Sequence, residues 1–232
     1  MKIIRLSILL CLMALAASAS VITFGPVYMD APSPSGFAFP NFGQTNFTSV
    51  ISLPQFDPTL GTLTSATFSF TGTVSGNVQF ENEDPTPQTV HVTVEAILEL
   101  DDTTNGWSIS VDAKNQFDRA TTAYDGVEDF GGTSGFTVND VEDTKTDQYT
   151  TIDGLDDLSV YTGTGTVEFT VQATGFSNGT GGASLIRHLT TYGASNASVT
   201  YDYISDVPEP ATWGYIAISL VGFACFRLRR RE

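Results

Sequence analysis

Cysteine is nearly absent from this sequence. Its 232 residues contain only Cys11 and Cys225, and both lie in apolar segments close to the two ends of the chain. A lipid anchor on Cys11 would need a small residue before it, but Leu10 precedes it. The long stretch between the apolar segments therefore has no disulfide and no cysteine-based zinc site. A packed core must stabilise it, and bound cations are an alternative contribution.

Basic residues are also scarce. Between Ser20 and Asp206 four basic residues stand against 24 acidic ones, so this stretch has a formal charge of −20; the basic residues are Lys114, Arg119, Lys145 and Arg187. Nucleic acid and anionic lipid both need lysine and arginine to neutralise phosphates. We expect no nucleic-acid partner.

Histidine occurs only at positions 91 and 188. His91 alternates with Val90 and Val92, which places it on the polar face of a strand, and His188 is predicted in a loop or at a strand edge. A Ser-His-Asp site needs a histidine base, and no G-x-S-x-G motif accompanies either residue. A hydrolase of this kind is disfavoured.

The first 19 residues have the pattern of a secretion signal. Lys2 and Arg5 form a basic start, an apolar run follows, and Ala17 and Ala19 form an A-x-A cleavage site. We predict a signal peptide over residues 1–19, used by the Sec translocon, and a mature chain that begins near Ser20.

Residues 20–206 show no break in composition and are predicted to form one domain. Apolar residues alternate with threonine and serine, turn formers separate the runs, and no amphipathic helix of ten residues or more is present. These features predict an all-β, antiparallel, jelly-roll-like β-sandwich, with a closed barrel as the alternative. The residues predicted to face the core are Phe68, Phe70, Val74, Val90, Val92, Val94, Ala96, Leu98, Trp107, Ile109, Val111, Val167, Phe169, Val171, Ala173, Val199, Tyr201 and Tyr203.

The C-terminal residues 207–232 have three parts. Pro208, Glu209 and Pro210 precede an uncharged segment at residues 211–226, and a basic cluster follows, formed by Arg227, Arg229, Arg230 and Arg231. The segment would make a transmembrane helix of about 24 Å, short for a hydrocarbon core of about 30 Å. The arginines act as a stop signal, which places the domain outside and the tail in the cytoplasm.

This order of parts resembles the PEP-CTERM sorting signal. The resemblance implies recognition by an exosortase, removal of the helix after transient anchoring in the inner membrane, and delivery to the cell surface or exopolysaccharide matrix of a Gram-negative bacterium. An ordinary membrane anchor that is never cut is the alternative. Residues 53–76 and 161–171 resemble choice-of-anchor E domains, which implies an exported β-rich domain but assigns no functional residue.

Calcium is the one candidate cofactor, because clustered loop carboxylates supply the oxygen ligands that it takes. None of the clusters matches an EF-hand or a nonapeptide repeat, so solvated acidic loops without a cofactor are the favoured interpretation and calcium is the alternative. The region from residue 125 to 157 is the candidate, with Asp125, Glu128, Asp129, Asp140, Glu142, Asp143, Asp153, Asp156 and Asp157 as possible ligands.

Trp107, the only tryptophan between residues 20 and 206, shares a face with Ile109 and Val111, which favours core packing over stacking on a sugar. The three N-x-S/T sequences, at Asn46, Asn178 and Asn196, are interpreted as incidental. We therefore expect a non-enzymatic surface or matrix protein, a structural or adhesive module associated with exopolysaccharide or biofilm. An envelope carbohydrate-active enzyme with paired carboxylates and a calcium-dependent adhesion domain are the alternatives.

Overall fold

The computed structural model of the protein describes residues 18–30 and 42–206. The described residues contain ten strands, which are β1 (Ser18–Tyr28), β2 (Gly43–Gln44), β3 (Phe47–Pro54), β4 (Gly61–Asn82), β5 (Gln88–Asp102), β6 (Trp107–Thr121), β7 (Gly135–Ile152), β8 (Thr166–Gly175), β9 (Asn178–Thr180) and β10 (Leu185–Ser205). Two short 3₁₀ turns complete the regular structure, at Pro58–Leu60 and Leu158–Tyr161.

The strands form two antiparallel sheets. Sheet A has the order β1-β10-β4-β7, with β2 paired to β10, and sheet B has the order β3-β8-β5-β6, with β9 paired to β5. The predicted all-β, antiparallel sandwich is confirmed, because the strands belong to two separate sheets whose apolar faces share one core.

The alternation of side chains in β4 shows why the sheets pack. Phe68, Phe70 and Val74 are completely buried in the core. Threonines on the opposite face pair with threonines of β7 through hydroxyl hydrogen bonds of 2.8–3.0 Å, as Thr71 does with Thr146. The threonine-rich polar face is therefore a ladder of cross-strand pairs.

The other predicted core positions also face inward. The side chains predicted to be buried in β5 and β8 are at most 9% exposed, whereas Trp107 and Tyr203 are half-buried and pack against the core. His91 is exposed, as predicted, and its Nδ1 lies 2.7 Å from Oδ1 of Asp118. His188 was predicted in a loop or at a strand edge, but it lies within β10, opposite Gln79 of β4.

The long strand β4 defines the two ends of the sandwich. Its 22 residues span about 70 Å at roughly 3.3 Å per residue. At one end, called the termini end, Gly61 is opposite Ser205, which is also opposite Ser18 at the start of β1. At the other, called the distal end, Glu81 is opposite Gly135. Both ends of the described chain therefore emerge together.

Several predicted segments fall outside this description. Residues 1–17, including Ala17, and residues 207–232 lie outside the described residues, whereas Ala19 lies in β1 opposite Ile204. Across residues 18–30 and 42–206 we find no helix with the length and apolar character needed to cross a membrane. The signal peptide and the sorting tail remain predictions.

Gly72 lies where the two sheets leave no room for a side chain. A Cβ atom at this position would lie 2.5 Å from Cγ2 of Val111 and 3.0 Å from Cδ1 of Leu98. We predict that Gly72→Ala lowers the free energy of unfolding by about 1–3 kcal/mol through overpacking. Ser69→Ala, on the outward face of the same strand, is the control and should change it by less than about 0.5 kcal/mol. Urea denaturation measures both, and equal midpoints would contradict the prediction.

Candidate functional site

A buried carboxylate organises the turn between β5 and β6. Asp102 is 1% exposed, and its Oδ1 accepts hydrogen bonds from the backbone N–H groups of Thr104 and Asn105 at 2.9 and 3.0 Å. Its Oδ2 accepts from Nδ2 of Asn105 at 2.7 Å and from the hydroxyl of Tyr161 at 2.6 Å. Four donors satisfy this carboxylate without a cation.

Tyr161 connects that turn to the segment before β8. Its hydroxyl donates to Asp102 and accepts from Nε1 of Trp107 at 2.8 Å and from Nδ2 of Asn105 at 2.7 Å. Burial, reinforced by the hydrogen bond to Asp102, raises the pKa of Tyr161 far above its ordinary value. The hydroxyl therefore stays protonated, and the network fixes the orientation of Trp107.

Aromatic contacts hold Trp107 on its other sides. Its ring stacks on Tyr149 with centroids 4.5 Å apart and an interplanar angle of 18°, and it also contacts Phe68 and Phe169. The sequence prediction that Trp107 packs in the core is confirmed. The half-buried indole also lines a surface cavity, which the alternation pattern does not reveal.

Two adjoining cavities meet at Thr104. The first, of about 340 Å³, is lined by Thr104, Asn105, Trp107, Thr151, Leu155, Asp156, Asp157 and Tyr161. The second, of about 520 Å³, is lined by Val50, Gln55, Thr103, Thr104, Val160, Thr166, Val167, Glu168, Phe169 and Thr170. We call the pair the end cleft. It lies at the termini end, because Ile152, just before Leu155, is opposite Ser65 near the start of β4.

Two aspartates of the end cleft accept hydrogen bonds from nearby backbone N–H groups. Oδ2 of Asp156 accepts from the backbone N–H of Ile152 at 2.9 Å, and Oδ1 of Asp157 accepts from that of Ser159 at 3.0 Å. The bonds from Ser159 lower the pKa of Asp157. A lowered pKa suits a hydrogen-bond acceptor and is the opposite of what a glycosidase's general acid needs.

The candidate calcium residues do not form one site. Asp125, Glu128 and Asp129 lie at the distal end, whereas Asp153, Asp156 and Asp157 lie at the termini end, with β7 and its roughly 55 Å between them. Within residues 18–30 and 42–206, no three His, Cys, Asp or Glu side chains come together as a metal site. Calcium binding by any of the separate clusters between residues 125 and 157 remains a prediction.

Many of these acids stabilise loop backbone. Oδ1 of Asp125 accepts from the N–H of Val127, which lowers the pKa of Asp125, and Oδ1 of Asp129 accepts from the N–H of Gly131. Asp140, Glu142 and Asp143 lie in β7, and Oδ2 of Asp143 accepts from the N–H of Lys114 across the sheet edge at 2.8 Å. The clusters of acidic residues are therefore explained in part by aspartate side chains that accept hydrogen bonds from the backbone of their own turns.

Asp102, Asn105 and Tyr161 are the residues that sequence reasoning missed. The segment Asp102–Gly106 carries a local signal, because aspartate commonly accepts from backbone two residues ahead in a turn. Tyr161 is 59 residues from Asp102 in the sequence, and no local pattern connects the two. The sequons at Asn46, Asn178 and Asn196 lie apart, in the β2–β3 turn, β9 and β10.

Comparison with known proteins assigns no family. No family model matches the chain, and no curated protein matches it. Among solved structures, infectious bursal disease virus Gx strain aligns at 12% identity and a TM-score of 0.14, covering 87% of this chain and 49% of that one. The T13 particle of the same virus aligns at 11% identity and a TM-score of 0.13, covering 84% and 41%. This chain spans half or less of those chains. TM-scores this low do not establish a shared fold.

The Asp102–Tyr161 hydrogen bond can be tested by removing one hydroxyl. We predict that Tyr161→Phe lowers the free energy of unfolding by about 1.5–3 kcal/mol, because it takes a donor from a buried carboxylate and the partner of the Trp107 N–H. Tyr201→Phe is the matched control: that buried hydroxyl donates to the backbone carbonyl of Pro54, a neutral acceptor, and its loss should cost about 1 kcal/mol. Equal losses in urea denaturation would refute the special role of Tyr161.

Proposed function

We propose that the protein is a non-enzymatic surface or extracellular-matrix protein whose β-sandwich binds neutral polysaccharide through the end cleft. The observation that carries this proposal is the composition of the cleft. Hydroxyl, amide and carboxylate groups surround a tryptophan whose position is fixed by hydrogen bonds and by stacking. Such a site is preorganised for a ligand that presents many hydroxyl groups.

The chemistry of the lining fits sugar hydroxyls in particular. The carboxylates of Asp156 and Asp157 have acceptor sites beyond those used by the backbone, and Thr103 and Thr104 can both donate and accept. Leu155 is 82% exposed at the rim and offers an apolar surface for the C–H face of a sugar ring. The two cavities, of about 340 and 520 Å³, share Thr104, so successive sugar residues of one polymer can occupy both, which favours a polymer over a free sugar.

The charge of the domain selects among polysaccharides. A formal charge of −20 over residues 20–206 repels uronate- and sulfate-bearing chains. A neutral exopolysaccharide is therefore the proposed partner.

We further infer that the fold is a jelly roll. When the short strands β2 and β9 are left out, the eight long strands, numbered in chain order, lie as 1-8-3-6 in one sheet and 2-7-4-5 in the other. This order supports two interlocked Greek keys, an architecture that lectin domains share. Fold alone does not assign the ligand, so the proposal depends on the cleft.

Sorting through the tail is the second part of the proposal. Ser18 and Ser205 are paired at the termini end, so the signal-peptide junction and the Pro208-Glu209-Pro210 motif leave the sandwich at the same place. Asp206 and Val207 separate Ser205 from Pro208, so the motif begins three residue steps, about 10 Å at full extension, beyond Ser205. An exosortase at the membrane would meet its motif directly against the folded domain.

The binding proposal is tested by blocking the cleft at the residue that its two cavities share. We predict that Thr104→Phe weakens binding to a neutral galactomannan at least about tenfold, because the new ring obstructs the cleft where its two cavities meet. Thr89→Phe, an equally exposed position at the far end of β5, should bind as the original chain does. Alginate, a polyanion, should bind neither. If calorimetry finds equal affinity for both variants, binding of the polysaccharide through the end cleft is refuted.

Processing is tested by intact mass. We predict that protein recovered from the cell surface or culture matrix begins near Ser20 and ends near residues 208–210, whereas the membrane fraction retains Arg231. A variant with alanine at Pro208, Glu209 and Pro210 should stay in the membrane fraction at full mass. Surface material that still carries the arginine cluster would establish an uncut anchor instead.

A further inference from the structure

A second cavity lies on sheet A, away from the end cleft. It has a volume of about 280 Å³ and is lined by Tyr28, Phe42, Thr73, Glu142, Thr144, Ala194, Ser195 and Asn196. We call it the sheet A cavity. Thr73 and Thr144 bond to each other across β4 and β7 at 2.9 Å, and Phe42 is only 3% exposed. The cavity is therefore a built feature of the sheet.

Polar atoms without partners are concentrated at this cavity. Oε1 of Glu142 is buried and has no hydrogen-bond partner, and the same is true of the hydroxyls of Ser75 and Ser195. Ser75 is directly opposite Glu142 in the pairing of β4 with β7, and Ser195 lines the cavity at 2% exposure. Buried polar groups are normally satisfied, so the neighbouring unpartnered atoms of Glu142 and Ser75 indicate a missing donor, whereas Ser195, opposite the inward-facing Gly72, points toward sheet B.

The missing donor should carry a positive charge. The ion pairs among the described residues are His91–Asp118, Lys114–Glu95 and Lys145–Asp143, and none of them involves Glu142. Two aromatic side chains, Tyr28 and Phe42, also line the cavity, and aromatic faces attract cations. An ammonium group donates several hydrogen bonds and would serve the Glu142 carboxylate and the neighbouring Ser75 hydroxyl together.

A metal ion fits the cavity less well than an amine does. Calcium takes six to eight oxygen ligands, usually including several carboxylates. Among the described residues that line the cavity, Glu142 is the only acidic one. An organic ammonium needs a single counter-charge, and its carbon skeleton can occupy the apolar part of the lining.

We propose that the sheet A cavity binds a small primary amine, with Glu142 as the counter-ion of the ammonium group and Tyr28 and Phe42 against its carbon skeleton. The proposal is independent of polysaccharide binding, because the two sites share no residue. The strongly negative domain raises the local concentration of cations and so assists capture.

The test compares putrescine with butane-1,4-diol, its neutral counterpart of nearly equal length, by calorimetry on the full chain. We expect putrescine to bind at least about tenfold more tightly than the diol, and Glu142→Gln to abolish that difference. Glu128→Gln removes the same charge from an exposed loop at the distal end and should bind putrescine as the original chain does. Equal affinity of the two ligands, or unchanged putrescine binding by Glu142→Gln, would overturn the proposal.

Two further readouts keep the result interpretable. Putrescine should raise the melting temperature of the original chain and of Glu128→Gln but not that of Glu142→Gln. Without ligand, Glu142→Gln should melt no lower than the original chain, because it removes a partly buried charge that has no partner. Calcium chloride serves as the competing cation. If calcium binds in a Glu142-dependent way and putrescine does not bind, the proposed amine site is wrong and the cavity is a metal site.

Discussion

The packing of β4 against sheet B is the constraint on which the rest of the structure depends. The domain between residues 20 and 206 has no cysteine, and its charge of −20 disfavours a compact state. The inward face of β4 offsets that repulsion with Phe68, Phe70 and Phe80, all completely buried. Because β4 pairs with both β10 and β7 over most of its length, the same strand also sets the register of sheet A and the distance between its ends.

The sequence predicts the local part of this architecture and little of its long-range part. A period of two places Val92 and Phe169 inward because strand side chains alternate, whatever their partners are. The pattern cannot tell which strands are neighbours, since the pairing of β1 with β10 joins residues nearly 200 positions apart. Trp107 illustrates this limit. The alternation pattern correctly predicts that its side chain faces the core. The pattern does not reveal the Asp102–Tyr161 pair that fixes the indole beside the cleft, because that pair depends on tertiary contacts.

The acidic residues show how proximity in sequence misleads. Asp125 and Asp157 are only 32 positions apart in the sequence. The extended strand β7 lies between them, so they are at opposite ends of the sandwich. At each end the carboxylates accept hydrogen bonds from nearby backbone N–H groups, which favours their ionised form without a cation. Hydrogen bonds within the turns thus stabilise the individual carboxylates. The total charge of −20 still determines which ligands can approach the domain.

The position of the end cleft links the proposed binding and the proposed sorting. Ser205 and the cleft residue Thr151 both lie at the termini end, because they are opposite Gly61 and Ala66 of β4. In the proposed sorting, the tail would anchor the chain with the motif only three residue steps, about 10 Å, beyond Ser205, and a polymer of the outer matrix would have poor access to this end. The proposed cleavage would remove that obstruction, so that release from the membrane and access of the ligand would become one event. A cleft at the distal end, about 70 Å away along β4, would have no such dependence.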